Sequence, residues 1–461
     1  ERLSQDFHHY SPVLEPLLKG RQAQLAVRPE SLEQLRQVVA ACARHGVPLT
    51  LRGAGTGNYG QCVPLNGGLV IDLSGLKRLR QFDPHSGLFT AETGLVLGEL
   101  ERQLTAHGRG LRLAPSTLRT ATLGGFVAGG AGGIGSLRWG FLRDPGNLIG
   151  LEVMTVEPEP RLLSLDAAES APLNHAYGTN GILTALTLPS CVAVAWQQLV
   201  VGFSRWDAAL AALQELANTA LLLNNAALLE APVAAAMPWP SGCASAPAGE
   251  HRLLLLAAPD TLPVLPAWLG ARGGTLLWQQ PQAAGPGQPL RELCWNHTTL
   301  HWRGSHRDWT YLQLLLPSDP GPAITALRQR WGDDLLWHLE AVRQQGGTRL
   351  SGLPLVRFQG IEALEALIAH CRSLGILVFD PHELSVEDGG MGQIDRDQVA
   401  AKARFDPAGL LNPGKLRGWL ERDTGVGAGR SPQPQPRLKR VSTPVTGLRP
   451  LASRHRLRTS S

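Results

Sequence analysis

The sequence predicts an α+β protein of two domains followed by a basic tail, and three observations carry that expectation. From about residue 20 to 190, short β-rich runs alternate with helical stretches around one glycine-rich turn. From about 191 to 420 the pattern changes to Leu/Ala-rich helical segments interleaved with short strands. From 421 to 461 the chain becomes Pro/Ser/Gly-rich and cationic, a composition too poor in large apolar groups to offset the entropy of ordering, so it is expected to be disordered.

In the first region the run Leu25–Val27 reads as a strand. Ser31 then caps a helix whose apolar face is Leu32, Leu35, Val38, Val39 and Cys42, and Gly46 supplies its stop. A strand is expected over Pro48 to Arg52, followed by the turn Gly53-Ala54-Gly55-Thr56-Gly57-Asn58-Tyr59-Gly60. Further β-runs fall at Leu69–Leu73 and Leu88–Glu92, with a helix near Leu95–His107. A second glycine-rich stretch, Thr122 to Gly133, precedes an apolar strand at Leu148–Val156, and the domain closes near Gly178 to Thr184. In the second region Ala208–Leu223 and Ile361–Leu374 read as helical.

Gly55, Gly57 and Gly60 satisfy G-x-G-x-x-G after a strand, and Asp72 stands where a ribose-binding acid would. A Rossmann unit would need a crossover helix there, yet Gln61 to Gly68 contains Pro64, Gly67 and Gly68. What remains is a strand, a turn with bare N–H groups and another strand. That arrangement suits a diphosphate approached closely by backbone.

The ordered set Pro29-Glu30-Ser31, His45-Gly46-Val47-Pro48, Arg52 to Gly57, Gly67 to Leu73, Pro115-Ser116-Thr117, Leu123-Gly124-Gly125 and Gly181 to Thr184 resembles the FAD-binding domain of the p-cresol methylhydroxylase (PCMH) and vanillyl-alcohol oxidase type. Phe405 to Lys415 is similar to the closing signature of the glycolate oxidase and D-lactate dehydrogenase branch. The resemblance implies a PCMH-type domain over 20–190 and an α+β, ferredoxin-like substrate or cap domain over 191–420. It also implies that Arg52, Gly53, Ala54, Gly55, Thr56, Gly57 and Asn58 hold the FAD pyrophosphate. Pro115, Ser116, Thr122, Gly124, Gly125 and Ala128 would pass beside the ribityl chain and isoalloxazine, with Gly181 and Ile182 near the adenine. Asn412 and Lys415 would be further contacts. Relatives that hold FAD covalently often have His where this chain has Thr56, so the resemblance implies noncovalent FAD.

Oxidation of an alcohol or hydroxy acid at a flavin needs a base for the hydroxyl proton and, for an acid, a cation for the carboxylate. Two polar patches bounded by apolar sequence supply candidates: Trp295 to Arg303, and Asp380 to Glu383. His297 or His382 is the expected base, and Arg303 or Arg357 the expected anion clamp. His297 and His301 share a side whether helical or extended, which suits either a metal or a core role. The branch's Gly-His-x-Gly-Asp-Gly-Asn-x-His metal motif is absent, so no metal is assigned.

The expected reading is therefore an FAD-dependent oxidoreductase acting on CH–OH, against the alternative of an accessory, noncatalytic FAD-binding subunit of an oxidase complex. Its partners would be a small-molecule substrate and an electron acceptor of unassigned identity, with homo- or hetero-oligomers both compatible. The net charge of +5 is no sign of nucleic-acid binding, because eight basic and no acidic residues lie between Gly425 and Ser461 and leave the remainder at −3. No apolar run approaches the length of a membrane span, and the six scattered cysteines fit a reducing, cytoplasmic setting.

Overall fold

The computed structural model describes residues 1–282 and 289–422, and the basic stretch from 423 onward lies outside the described residues. Glu1–Leu420 form one compact α+β unit. No helix among the described residues is long and apolar enough to cross a membrane.

The N-terminal sheet is parallel, with Leu69–Asp72 between Leu25–Val27 and Leu49–Arg52. Helix Leu32–His45 covers it, because Ser31 Oγ accepts from Gln34 N at 3.2 Å and Gly46, at φ 65°, ends the helix in the left-handed conformation. Leu35, Val39 and Cys42 on that helix pack against Leu49, Leu69 and Ile71. No helix connects Leu49–Arg52 to Leu69–Asp72, as Pro64 and the glycines between them require. Asp72 is spent on Arg28 Nε (2.8 Å) and Ser74 N (3.0 Å), so it is a structural acid.

A second, antiparallel sheet runs Leu79–Phe82, Leu88–Glu92, Ile182–Val192, Gly150–Met154, Leu162–Asp166. Helices Leu97–Thr105 and Leu123–Gly129 contribute to its core. In the sequence the latter shows only as a glycine-rich stretch. It forms because Thr122 Oγ1 accepts from Gly125 N and because Leu123, Phe126 and Val127 are buried.

The third sheet has eight strands, all antiparallel, in the order Thr275–Pro281, Gln197–Phe203, His251–Ala257, Leu223–Leu229, His338–Gln344, Gly347–Gly352, Gln313–Leu315, Leu377–Phe379. Its central strands are buried on both faces, one against helices Trp206–Ala217, Gly321–Trp331 and Ile361–Ser373, the other against Leu290, Leu293 and Trp302. Burial on both sides explains why 253–258 is an unbroken apolar run, a pattern that periodicity alone cannot assign to a strand. The expected helix over Ala208–Leu223 ends at Ala217, where Asn218 Nδ2 donates to Gln214 O (2.8 Å) and Thr219 Oγ1 to Leu216 O (2.8 Å). Strand Leu223–Leu229 follows.

Candidate cofactor and active site

Between the glycine turn, the loops around helix Leu123–Gly129 and the eight-stranded sheet lies a cavity of about 770 Å³, within the ~300–1,000 Å³ typical of ligand sites. Residues Arg52 to Tyr59 form one wall. The N–H groups of Ala54, Gly55, Thr56, Gly57 and Asn58 donate to no acceptor among the described residues. Five consecutive amides left unpaired by the protein at a cavity form a ready anion site, so they fit a diphosphate. Close packing enforces the glycines: a Cβ at Gly53 would overlap Thr122 Oγ1, and one at Gly124 would overlap Thr93 Oγ1.

The turn is held from behind. Arg52, an expected phosphate ligand, lines the cavity, but its guanidinium donates to the carbonyls of Leu3 and Gln5 and to Ala54 O (3.2 Å). Phe7 N donates to Gly57 O at 2.8 Å, which lays the N-terminal segment along the turn. Asn412 and Lys415 do not line the cavity. Asn412 Nδ2 donates to Gln61 O (3.1 Å) and Tyr177 O (2.7 Å), and Lys415 Nζ donates to Gly60 O (2.7 Å), Gln61 O (2.9 Å) and Val63 O (2.6 Å). The closing signature is thus a clasp on the cofactor turn rather than a ligand set. Burial pulls the Lys415 pKa down to about 8. Lys415→Met should destabilise the fold and weaken FAD retention together, since each carbonyl left unpaired costs on the order of 1–3 kcal/mol, offset partly by relief of the buried charge. Denaturant midpoints and FAD titration check this, and unchanged values in both would refute the clasp.

The opposite wall comes from Trp295-Asn296-His297, Leu300, and the strand residues Gln313, Gln344 and Ser351. Helix His297–Arg303 places His297 at the cavity, with Nδ1 2.9 Å from Glu292 O. A carbonyl only accepts, so Nδ1 carries the proton and Nε2 keeps a free lone pair in the neutral ring. Burial holds the His297 pKa below the usual histidine value. Behind this wall sits a fully buried network that sequence reasoning missed. Glu340 accepts from Trp295 N (2.7 Å) and Asn225 Nδ2 (3.0 Å) and pairs with His338 Nε2 (2.9 Å), while His338 Nδ1 meets Thr298 Oγ1 (2.8 Å). It fixes Trp295 at a left-handed φ of 53°.

Of the expected cofactor residues, Arg52 to Asn58, Pro115, Ser116, Thr122, Gly124, Gly125, Ala128 and Gly181 line the cavity, whereas Ile182 does not. Among the expected catalytic residues only His297 does. His382 is buried elsewhere with both nitrogens engaged, Nδ1 accepting from Ser11 Oγ (2.7 Å) and Nε2 donating to Tyr311 O (3.1 Å). Arg303 donates to Trp309 O and His9 O, and Arg357 pairs with Asp334 (3.2 Å) at the surface. Neither reaches the cavity. His297 and His301 belong to no group of three or more potential metal ligands among the described residues.

His175 and Tyr177 are among the cavity residues that sequence reasoning missed. They occupy left-handed conformations at φ 57° and 51°, and their amides donate to Val127 O and Ala128 O at the end of helix Leu123–Gly129. His175 Nδ1 donates to Gly130 O (3.2 Å). The only sequence signal was a polar-aromatic run inside a glycine-bounded loop.

Burial lowers the pKa of both His175 and His382 to about 4, against roughly 6.5 in an unfolded chain. Between those values the unfolded state binds protons that the folded state refuses, so stability falls as pH drops from about 6.5 towards 4. The loss should reach on the order of a few kcal/mol per histidine. Denaturation at several pH values checks it: His382→Gln should flatten the acid slope, and a parent slope in that variant would contradict the burial argument.

Residues 23–160 match the family model described as FAD binding domain. The chain is 29% identical over 170 residues to glycolate oxidase subunit GlcD of Escherichia coli (strain K12), covering 36% of this chain and 34% of that protein. It is 29% identical over 200 residues to D-lactate dehydrogenase of Anaerostipes hadrus, covering 41% and 40%. The matched segments thus span about a third to two fifths of these relatives' length. Alkyldihydroxyacetonephosphate synthase shares the fold, with a TM-score of 0.64 at 16% identity over 85% of this chain and 76% of that one.

Proposed function

We propose that this chain, which carries an FAD-binding domain over residues 23–160, is an FAD-dependent oxidoreductase that oxidises a small alcohol or hydroxy acid. The observation that carries the proposal is the row of five unpaired amides, Ala54 to Asn58, on a cavity whose other wall presents His297. When bound, FAD supplies the hydride acceptor at its N5. The amide row binds the diphosphate, and the wall from Trp295 to Leu300 orients the substrate and keeps water out. His297 Nε2 takes the substrate hydroxyl proton, since its tautomer is fixed by Glu292 O and its lowered pKa keeps it neutral and basic below the usual histidine range. Arg303 and Arg357 have no part in this chemistry.

FAD is held noncovalently on this reading. Thr56 cannot form the attachment that a histidine makes, and Cys62, which also lines the cavity, has its thiol pushed up to about 11, chiefly by burial, so it stays protonated. Anaerobic mixing of the FAD-loaded protein with a panel of alcohols and hydroxy acids tests the proposal. Bleaching of the flavin's visible band by at least one member is expected. No bleaching across the panel would leave the accessory-subunit reading in its place.

A further inference from the structure

We infer that the substrate taken by this site is an uncharged polyol or sugar-like alcohol, and that the cavity discriminates against hydroxy acids. The inference rests on the oxidoreductase reading above and narrows it. Among the described residues lining the cavity, the only permanently cationic side chains are Arg52 and Arg143. Arg52 is bound to three backbone carbonyls, and Arg143 pairs with Asp395 at 3.2 Å. Three acids, Asp144, Glu387 and Asp395, line the same cavity. Its two histidines, His175 and His297, are both held neutral by burial. The cofactor's diphosphate already brings negative charge here, met by uncharged amides. A substrate carboxylate would therefore be desolvated with no cation free to receive it, which is strongly unfavourable.

The wall that faces the glycine turn offers neutral hydrogen-bonding groups instead. Trp295 Nε1 and Asn296 Oδ1 are buried with no partner. Gln344 Oε1 accepts from Arg349 at 3.3 Å and its amide nitrogen is unspent, while Ser351 Oγ donates to Leu314 O at 3.2 Å and can still accept. Orphaned buried donors and acceptors call for a ligand that satisfies them. A donor, an acceptor and an amide along one wall match the paired donor and acceptor capacity of several hydroxyls. Trp295 Nε1–H and the Gln344 amide can donate to a hydroxyl or a carboxylate alike. Asn296 Oδ1 and Ser351 Oγ need a donor, which a hydroxyl supplies and an acceptor-only carboxylate does not.

The test uses skeleton-matched pairs on the FAD-loaded full chain: glycerol against glycerate, and 1,2-propanediol against lactate. Two readouts are taken for each, namely perturbation of the oxidised flavin spectrum, which reports binding, and anaerobic flavin reduction. The neutral member of each pair is expected to bind at least about ten-fold more tightly than the acid, and Asn296→Leu should weaken glycerol about ten-fold without lowering FAD content. Acids that bind as well as or better than their neutral partners would overturn the inference, and acids that also reduce the flavin would do so while leaving the oxidoreductase reading intact. Neutral members that bind selectively but never reduce the flavin would support the selectivity and sink the oxidation. No perturbation by either class, or unchanged glycerol affinity in Asn296→Leu, would overturn the inference.

Discussion

Replacing Gly55 with valine should give a folded protein that purifies without FAD. Gly55 stands at φ +70°, where a β-branched residue is strongly disfavoured, and its Cβ would overlap the Arg52 guanidinium. That guanidinium cannot swing away freely, because it is tied to Leu3, Gln5 and Ala54. The strain therefore falls on the amide row that faces the cavity. Gly57 is a milder case: its φ is ordinary, and a Cβ there would meet Gln61 Oε1 at 2.5 Å, the far end of a flexible side chain. Gly57→Ala should accordingly retain more FAD than Gly55→Val. Flavin absorbance per chain, with circular dichroism as the control for folding, measures both. Stoichiometric FAD in Gly55→Val would refute the assignment of the turn.

The second large effect is expected at His297. His297→Asn should slow anaerobic flavin reduction by ~10²–10⁴-fold, the usual cost of losing a general base, while FAD content stays at the parent level because the amide row is untouched. Stopped-flow reduction measures the rate. Since burial lowers the His297 pKa, the parent rate should hold to a pH below the ordinary histidine value before it declines, and the variant should lack that limb. Parent-like rates in His297→Asn would show that the proton leaves by another route.

Legibility of the sequence followed the range of the interactions. Helix Leu32–His45 could be read because both its ends are written locally, in Ser31 and Gly46. The cofactor turn could be read because its glycines answer to local backbone needs and to neighbours such as Thr122 that recur in a known order. The lack of a crossover helix could be read too, since Pro64, Gly67 and Gly68 are incompatible with one. Partners far apart in sequence were not legible. Nothing around Lys415 announces that its ammonium will meet the carbonyls of Gly60, Gln61 and Val63, and nothing around His382 announces Ser11. His297 and His382 look equivalent in sequence, as histidines in polar patches. Only tertiary packing puts one at the cavity and seals the other against Ser11 and the Tyr311 carbonyl. His175 was invisible for a related reason: its place depends on a left-handed backbone pinned by the end of helix Leu123–Gly129, which no periodicity reports.

The cavity is expected to hold FAD against the unpaired amides of Ala54 to Asn58. The most direct test is to purify the full chain, add FAD, remove the excess, precipitate with acid and identify the flavin in the supernatant. Close to one FAD per chain is expected, released into solution as the dinucleotide rather than the mononucleotide or a flavin that stays with the pellet. A colourless protein that takes up no FAD on reconstitution would contradict it.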